Sequence, residues 1–111
     1  MVAEQDTALA LGSGDVPVLA TPRLLAWMEA ATVDAAAGSL GPGQTSVGVR
    51  VNLSHLRPSP VGSTVQVVAS DPEPLERGRL SFEVVASDES DRVVATATVD
   101  RAVVDRQRFL G

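Results

Sequence analysis

Cysteine is absent from these 111 residues, which excludes disulfides and thiolate metal ligation. Lysine is absent too: all nine cations are arginine, set against 14 carboxylates for a formal net charge of −5. Without a basic face to neutralise phosphates, general nucleic-acid binding is not expected. Aromatics are scarce. Trp27, Phe82 and Phe109 are too few to build a base-stacking platform. No basic stretch precedes an apolar run near the start, so no secretory signal is expected, and the expected compartment is the cytoplasm. No metal site is expected, and only one histidine, His55, is present.

What is present is 44% apolar and 21% charged residues, the balance of one globular domain over residues 1–111. The most informative stretch is Thr21 to Gly38, TPRLLAWMEAATVDAAAG. Thr21 before Pro22 reads as a helix start: the hydroxyl can cap an orphan backbone N–H, and proline suits the first turn. Gly38 reads as the stop. Leu24, Leu25, Trp27, Met28, Ala31, Val33 and the alanines run round most of the helix, which predicts burial. At about 16 residues and about 24 Å it is too short to span a bilayer. Glu29 is an isolated carboxylate in this apolar run and needs a partner.

Before the helix, Thr7, Leu9 and Leu11 alternate with Ala8 and Ala10, which predicts a weak edge strand within residues 3–11. Gly12 to Asp15 is a turn, and Val16 to Ala20 an extended lead-in. After the helix the period changes to two. In residues 45–53 (TSVGVRVNL), Val47, Val49, Val51 and Leu53 would point one way, with Ser46, Gly48, Arg50 and Asn52 opposite. Gly48 inside this strand predicts a bulge or a close approach to the backbone, and His55 falls just past its end. Residues 63–70, 79–87 and 92–104 read as further strands. Asp71 to Pro74 would break the chain, Ser87 to Asp91 would form a solvated hairpin loop, and Asp105 to Gly111 shows no obvious element.

Short connections imply an antiparallel meander, curled so that one face covers the helix. The fold class is therefore α+β. The long strand 92–104 would offer an edge to a second copy.

Each polar residue singled out also has a plain reading: Thr21 a cap, Glu29 a satisfied buried carboxylate, Gly48 a bulge, His55 a surface residue, Arg101 a surface or ion-pairing residue. Together they supply the parts of a hydrolytic site: a base, a carboxylate, a hydroxyl and an oxyanion donor.

The order Leu19-Ala20-Thr21, Leu25-x-x-Met28-Glu29-Ala30, Thr45-Ser46-Val47-Gly48, Val51-x-Leu53-x-His55, Pro60-x-Gly62-x-x-Val65 and Asp100-Arg101-Ala102-Val103-Val104, with Phe109 near the end, resembles the fluoroacetyl-CoA thioesterase family of hotdog-fold proteins. The resemblance runs from about Leu19 to Phe109. It implies a curved antiparallel sheet of about five strands wrapped round one long central helix. It implies hydrolysis of a small acyl-CoA thioester, with Thr21, Glu29 and His55 catalytic, Gly48 at the acyl carbonyl and Arg101 near the site. No cofactor is implied beyond the coenzyme A of the substrate. Arg57, two residues past His55, and Arg77 or Arg79 are candidates for CoA phosphates. The family's aromatic, lid-like segment before the threonine is matched here only by GSGDVPVLA, which implies a shorter, less bulky pocket wall and leaves the acyl group open.

Thr21 and Glu29 stand eight residues apart, about 12 Å along one helix. Their side chains cannot easily meet, so a homodimer with the site at its interface is expected. The competing reading is a non-catalytic acyl-thioester binding module.

Overall fold

The computed structural model describes residues 1–111. A short helix α1 (Ala8–Leu11) and a long helix α2 (Thr21–Ala36) precede five strands: β1 (Gln44–His55), β2 (Val65–Ala69), β3 (Glu73–Leu75), β4 (Arg79–Asp88) and β5 (Val93–Asp105). A terminal turn of helix, α3 (Arg106–Leu110), follows. The sheet is antiparallel in the order β1-β5-β4-β2, and β3 also pairs with β4.

The segment within residues 3–11 is not a strand. Thr7 Oγ1 accepts from the Ala10 N–H at 3.2 Å and caps α1, while left-handed Gly12 ends it. Capping by the threonine outweighs the two-residue alternation.

Helix α2 forms where expected, because neither glycine nor proline interrupts residues 23–37. Its ends differ from expectation. The N-cap is Ala20, without a side-chain cap, so Thr21 is the first helical residue and its hydroxyl is directed elsewhere. At the other end Ala37 stays right-handed and the chain tightens into a 3₁₀ turn over Ala37–Ser39, so Gly38 is not a left-handed stop.

Within one chain only one stripe of the helix is fully buried: Leu24, Met28, Thr32 and Ala36, at i,i+4 spacing. It packs on the inner face of the sheet, with Leu80, Phe82, Val84 and Ala86 from β4 and Ala95, Ala97 and Val99 from β5. Ala26, Ala30 and Val33 remain exposed, so the sheet covers the helix from one side.

Residues 71–74 do not simply break the sheet. The prolines end β2, and Glu73–Leu75 resumes pairing with β4 as a short edge strand, where Pro74 is tolerated. The tail also forms an element: Asp105 caps α3 by accepting from the Arg108 N–H at 3.0 Å.

In β1, Gly48 pairs with Arg101 and Arg50 with Asp100, which leaves Val49 as a bulge. The bulge resets the alternation. Residues directly opposite in an antiparallel pair share a face, so Ser46 and Gly48 join Val51, Leu53 and His55 on the helix side. Simple alternation had set Ser46 and Gly48 opposite the valines. The strand also runs through His55 rather than stopping before it. β5 lies between β1 and β4, so it has no free edge; the long open edge belongs to β1. No helix is long and apolar enough to cross a membrane.

The β4–β5 hairpin is closed by Asp88, which accepts from the Ser90 N–H at 2.9 Å, the Arg92 N–H at 3.0 Å and Arg92 Nε at 3.0 Å. Desolvation works to raise the Asp88 pKa, but these donors and the Arg92 charge outweigh it and hold the group below 3.8. Because the folded value is depressed, this contribution to stability is present above the unfolded value and is lost as pH falls through the folded one. An NMR titration of the Asp88 carboxyl should give a midpoint below 3.8; a midpoint above it would contradict this hydrogen-bond assignment.

Candidate active site

The first residue of α2 and the last of β1 meet. Thr21 Oγ1 and His55 Nδ1 share a hydrogen bond of 2.8 Å. The other ring nitrogen, Nε2, is shielded from solvent and has no hydrogen-bond partner. An imidazole fixed at Nδ1 and unengaged at Nε2 can exchange a proton at one defined position. The pair lines a cleft of about 370 Å³, closed on one side by Val16, Val18 and Leu19 from the lead-in and on the other by Leu56, Arg57 and Pro58. Arg57 is exposed in that wall.

A second cluster lies two turns along α2. Glu29 Oε2 is 3.5 Å from Arg101 Nη1; the carboxylate is 35% exposed, whereas the guanidinium side chain is 7% exposed. Arg101 is therefore a buried cation, not a surface residue, and Glu29 is its counter-ion. Gly48 sits directly against this pair, and a Cβ built on it would lie 2.5 Å from Glu29 Oε2. The expected bulge and the expected close approach thus occur together.

Two residues missed in the sequence complete the second cluster. Ser46 accepts from Arg101 Nε at 2.9 Å through its hydroxyl and from Nη2 at 3.0 Å through its carbonyl. Thr32 Oγ1 donates to the Glu29 carbonyl at 2.6 Å and accepts from Arg101 Nη1 at 3.5 Å. The signal that could have found Thr32 is a hydroxyl within the apolar run of α2. Ser46 could be found only by letting Gly48 shift the strand phase.

Within one chain the structure therefore brings Thr21 and His55 together, and separately Glu29, Gly48 and Arg101. No hydrogen bond or ion pair joins the two groups.

Gly48→Ala is expected to abolish most activity with little change in melting temperature. The added methyl displaces only the flexible end of Glu29, which moves at small energetic cost but out of its place against Gly48, where an acting carboxylate would be misaligned. Equal losses of stability and activity would contradict this.

Comparison with known proteins gives a consistent result. A family model described as fluoroacetyl-CoA-specific thioesterase matches residues 2–107. The chain is 37% identical over 92 residues to the fluoroacetyl-CoA thioesterase of Streptantibioticus cattleyicolor, a match covering 83% of this chain but only 65% of that protein. A solved mutant of a fluoroacetyl-CoA-specific thioesterase, in complex with fluoroacetate and CoA, superposes with a TM-score of 0.85 at 32% identity, over 97% of this chain and 90% of that one. A hot-dog-like protein from Thermanaerovibrio acidaminovorans superposes with a TM-score of 0.85 at 25% identity, over 98% of this chain and 79% of that one.

Proposed function

The chain belongs to the fluoroacetyl-CoA-specific thioesterase family and has its hotdog fold, and we infer from this premise that it hydrolyses a small acyl-CoA thioester at a site shared between two copies of itself. The observation that carries this reading is His55, which lines the cleft and is held at Nδ1 by Thr21, leaving Nε2 without a hydrogen-bond partner.

His55 Nε2 takes a proton from water as the oxygen bonds to the thioester carbonyl carbon. The Gly48 N–H stabilises the oxyanion, and collapse expels the CoA thiolate, which recovers the proton from His55. Glu29 orients the water or attacks first to give an anhydride that water then opens; Arg101 holds it in either case. Thr21 keeps the imidazole in one orientation. Arg57 is a contact for CoA phosphates. The stretch before Thr21 carries no aromatic residue, which supports an acyl group other than fluoroacetyl. No cofactor takes part. A CoA thioester substrate suits a cytoplasmic enzyme with neither membrane nor nucleic acid as partner.

The edge strand β1 supports the dimer. Its outer edge is open, and Val49 and Val51 on it are exposed. Such an edge invites pairing with an identical strand. The β5 partners of Gly48, Asn52 and His55 are Arg101, Thr98 and Ala95, evenly spaced. With a two-fold axis placed near Asn52, His55 of one chain would stand opposite Gly48 of the partner subunit. The Thr21–His55 pair of one chain then faces the Glu29–Arg101 pair of the other.

Thiol release from a panel of acyl-CoAs tests the reading. Turnover of a short acyl chain is expected. Tight binding without turnover would instead identify an acyl-thioester binding module.

A further inference from the structure

The function assigned above leaves unexplained why Arg101 and Glu29 are held at 3.5 Å rather than clamped. Arginine and carboxylate prefer a bidentate contact at about 2.7–2.9 Å. A guanidinium with 5% residue exposure has every reason to close on the nearest carboxylate. Its other edge is engaged elsewhere. Nε and Nη2 form one side of the planar fork, and both donate to Ser46, to the hydroxyl at 2.9 Å and to the carbonyl at 3.0 Å. These two anchors set the tilt of the fork, and Nη1 lies 3.5 Å from both Thr32 Oγ1 and Glu29 Oε2. Nη1 also lies 3.7 Å from where a Gly48 Cβ would stand, so the same nitrogen borders the space left open over the glycine.

We propose that Ser46 is a positioning residue: its hydroxyl holds Arg101 edge-on, so that Arg101 neutralises Glu29 without capturing it. The inference rests on the hydrolase reading above. Its physical basis is that a buried Nε–H deprived of its acceptor must find another. In Ser46→Ala the fork loses one of its two anchors and rotates toward Glu29. The carboxylate is then fixed in a two-point ion pair, displaced from water and substrate. The backbone carbonyl of Ser46 remains in any variant, so the hydroxyl alone is tested. Threonine restores it on a β-branched frame suited to a strand.

In Ser46→Ala, kcat should fall by about 10²-fold, the loss typical of misplacing a working group by about 1 Å. KM should stay within about twofold, as expected when substrate binding is untouched. Ser46→Thr should recover most of the rate. A readout independent of turnover is the Arg101 Nε–H resonance in ¹⁵N-resolved NMR, identified by its loss in Arg101→Lys. It should be slow to exchange in the wild type and in Ser46→Thr, and fast in Ser46→Ala. Wild-type kcat in Ser46→Ala, or a Ser46→Thr as slow as Ser46→Ala, overturns the proposal. So does an Nε–H that exchanges equally in all three proteins. If the wild-type protein hydrolyses no acyl-CoA, the hydrolase reading fails on its own, and the NMR comparison still decides whether Ser46 orients Arg101.

Discussion

His55→Ala is expected to lower acyl-CoA hydrolysis by about 10²- to 10⁴-fold, the range lost with a positioned general base. The chain offers no substitute. His55 is its sole histidine, and Glu29 is already paired with Arg101. The fold should survive. His55 sits at the end of β1, and its one hydrogen bond is to a threonine at the exposed first position of α2, where water can replace the ring. Steady-state kinetics beside a thermal melt checks both halves. A variant that retains hydrolysis within a few-fold of wild type would remove the imidazole from the mechanism.

Glu29→Gln should also reduce hydrolysis by about 10²- to 10⁴-fold, because the amide keeps the shape but loses the charge proposed to orient water or attack the acyl carbon. Unlike His55→Ala, it should also lower stability. Arg101 is buried and loses its only ionic partner. The full penalty of an orphaned buried charge is about 3–5 kcal/mol, but the carboxylate is 35% exposed and water offsets part of the loss. A net cost of about 1–2 kcal/mol is expected, given how little exposed ion pairs contribute. Denaturant unfolding measures it. An unchanged rate would count against the carboxylate, and unchanged stability would mean that Ser46 and Thr32 alone satisfy Arg101.

The sheet is legible in the sequence where alternation is unbroken. In β4 the buried positions Leu80, Phe82, Val84 and Ala86 alternate without fault, and both long C-terminal strands lie within a residue or two of where the pattern puts them. It is illegible where one local interaction overrides the pattern. Thr7 caps a turn of helix inside an alternating stretch, and the bulge at Val49 exchanges the faces of β1. The edge open to pairing cannot be read from strand length, since it depends on which strands flank which. The same split applies to the site. Glu29, His55 and Gly48 were visible as a lone carboxylate, a lone imidazole and a glycine inside a strand. That Thr21 serves His55 rather than the helix end depends on the long-range approach of α2 to β1. The role of Ser46 depends on the bulge.

On the proposed mechanism the two clusters act together only across a pair of chains. Mixing the two inactive variants, His55→Ala and Glu29→Gln, as co-refolded subunits tests it most directly. If His55 of one chain works with Glu29 of the partner subunit, each mixed dimer regains one intact site of two. Random reassortment should then restore about a quarter of wild-type activity. If the mixture stays as inactive as its components although subunit exchange is demonstrated, the site lies within one chain and the account is wrong.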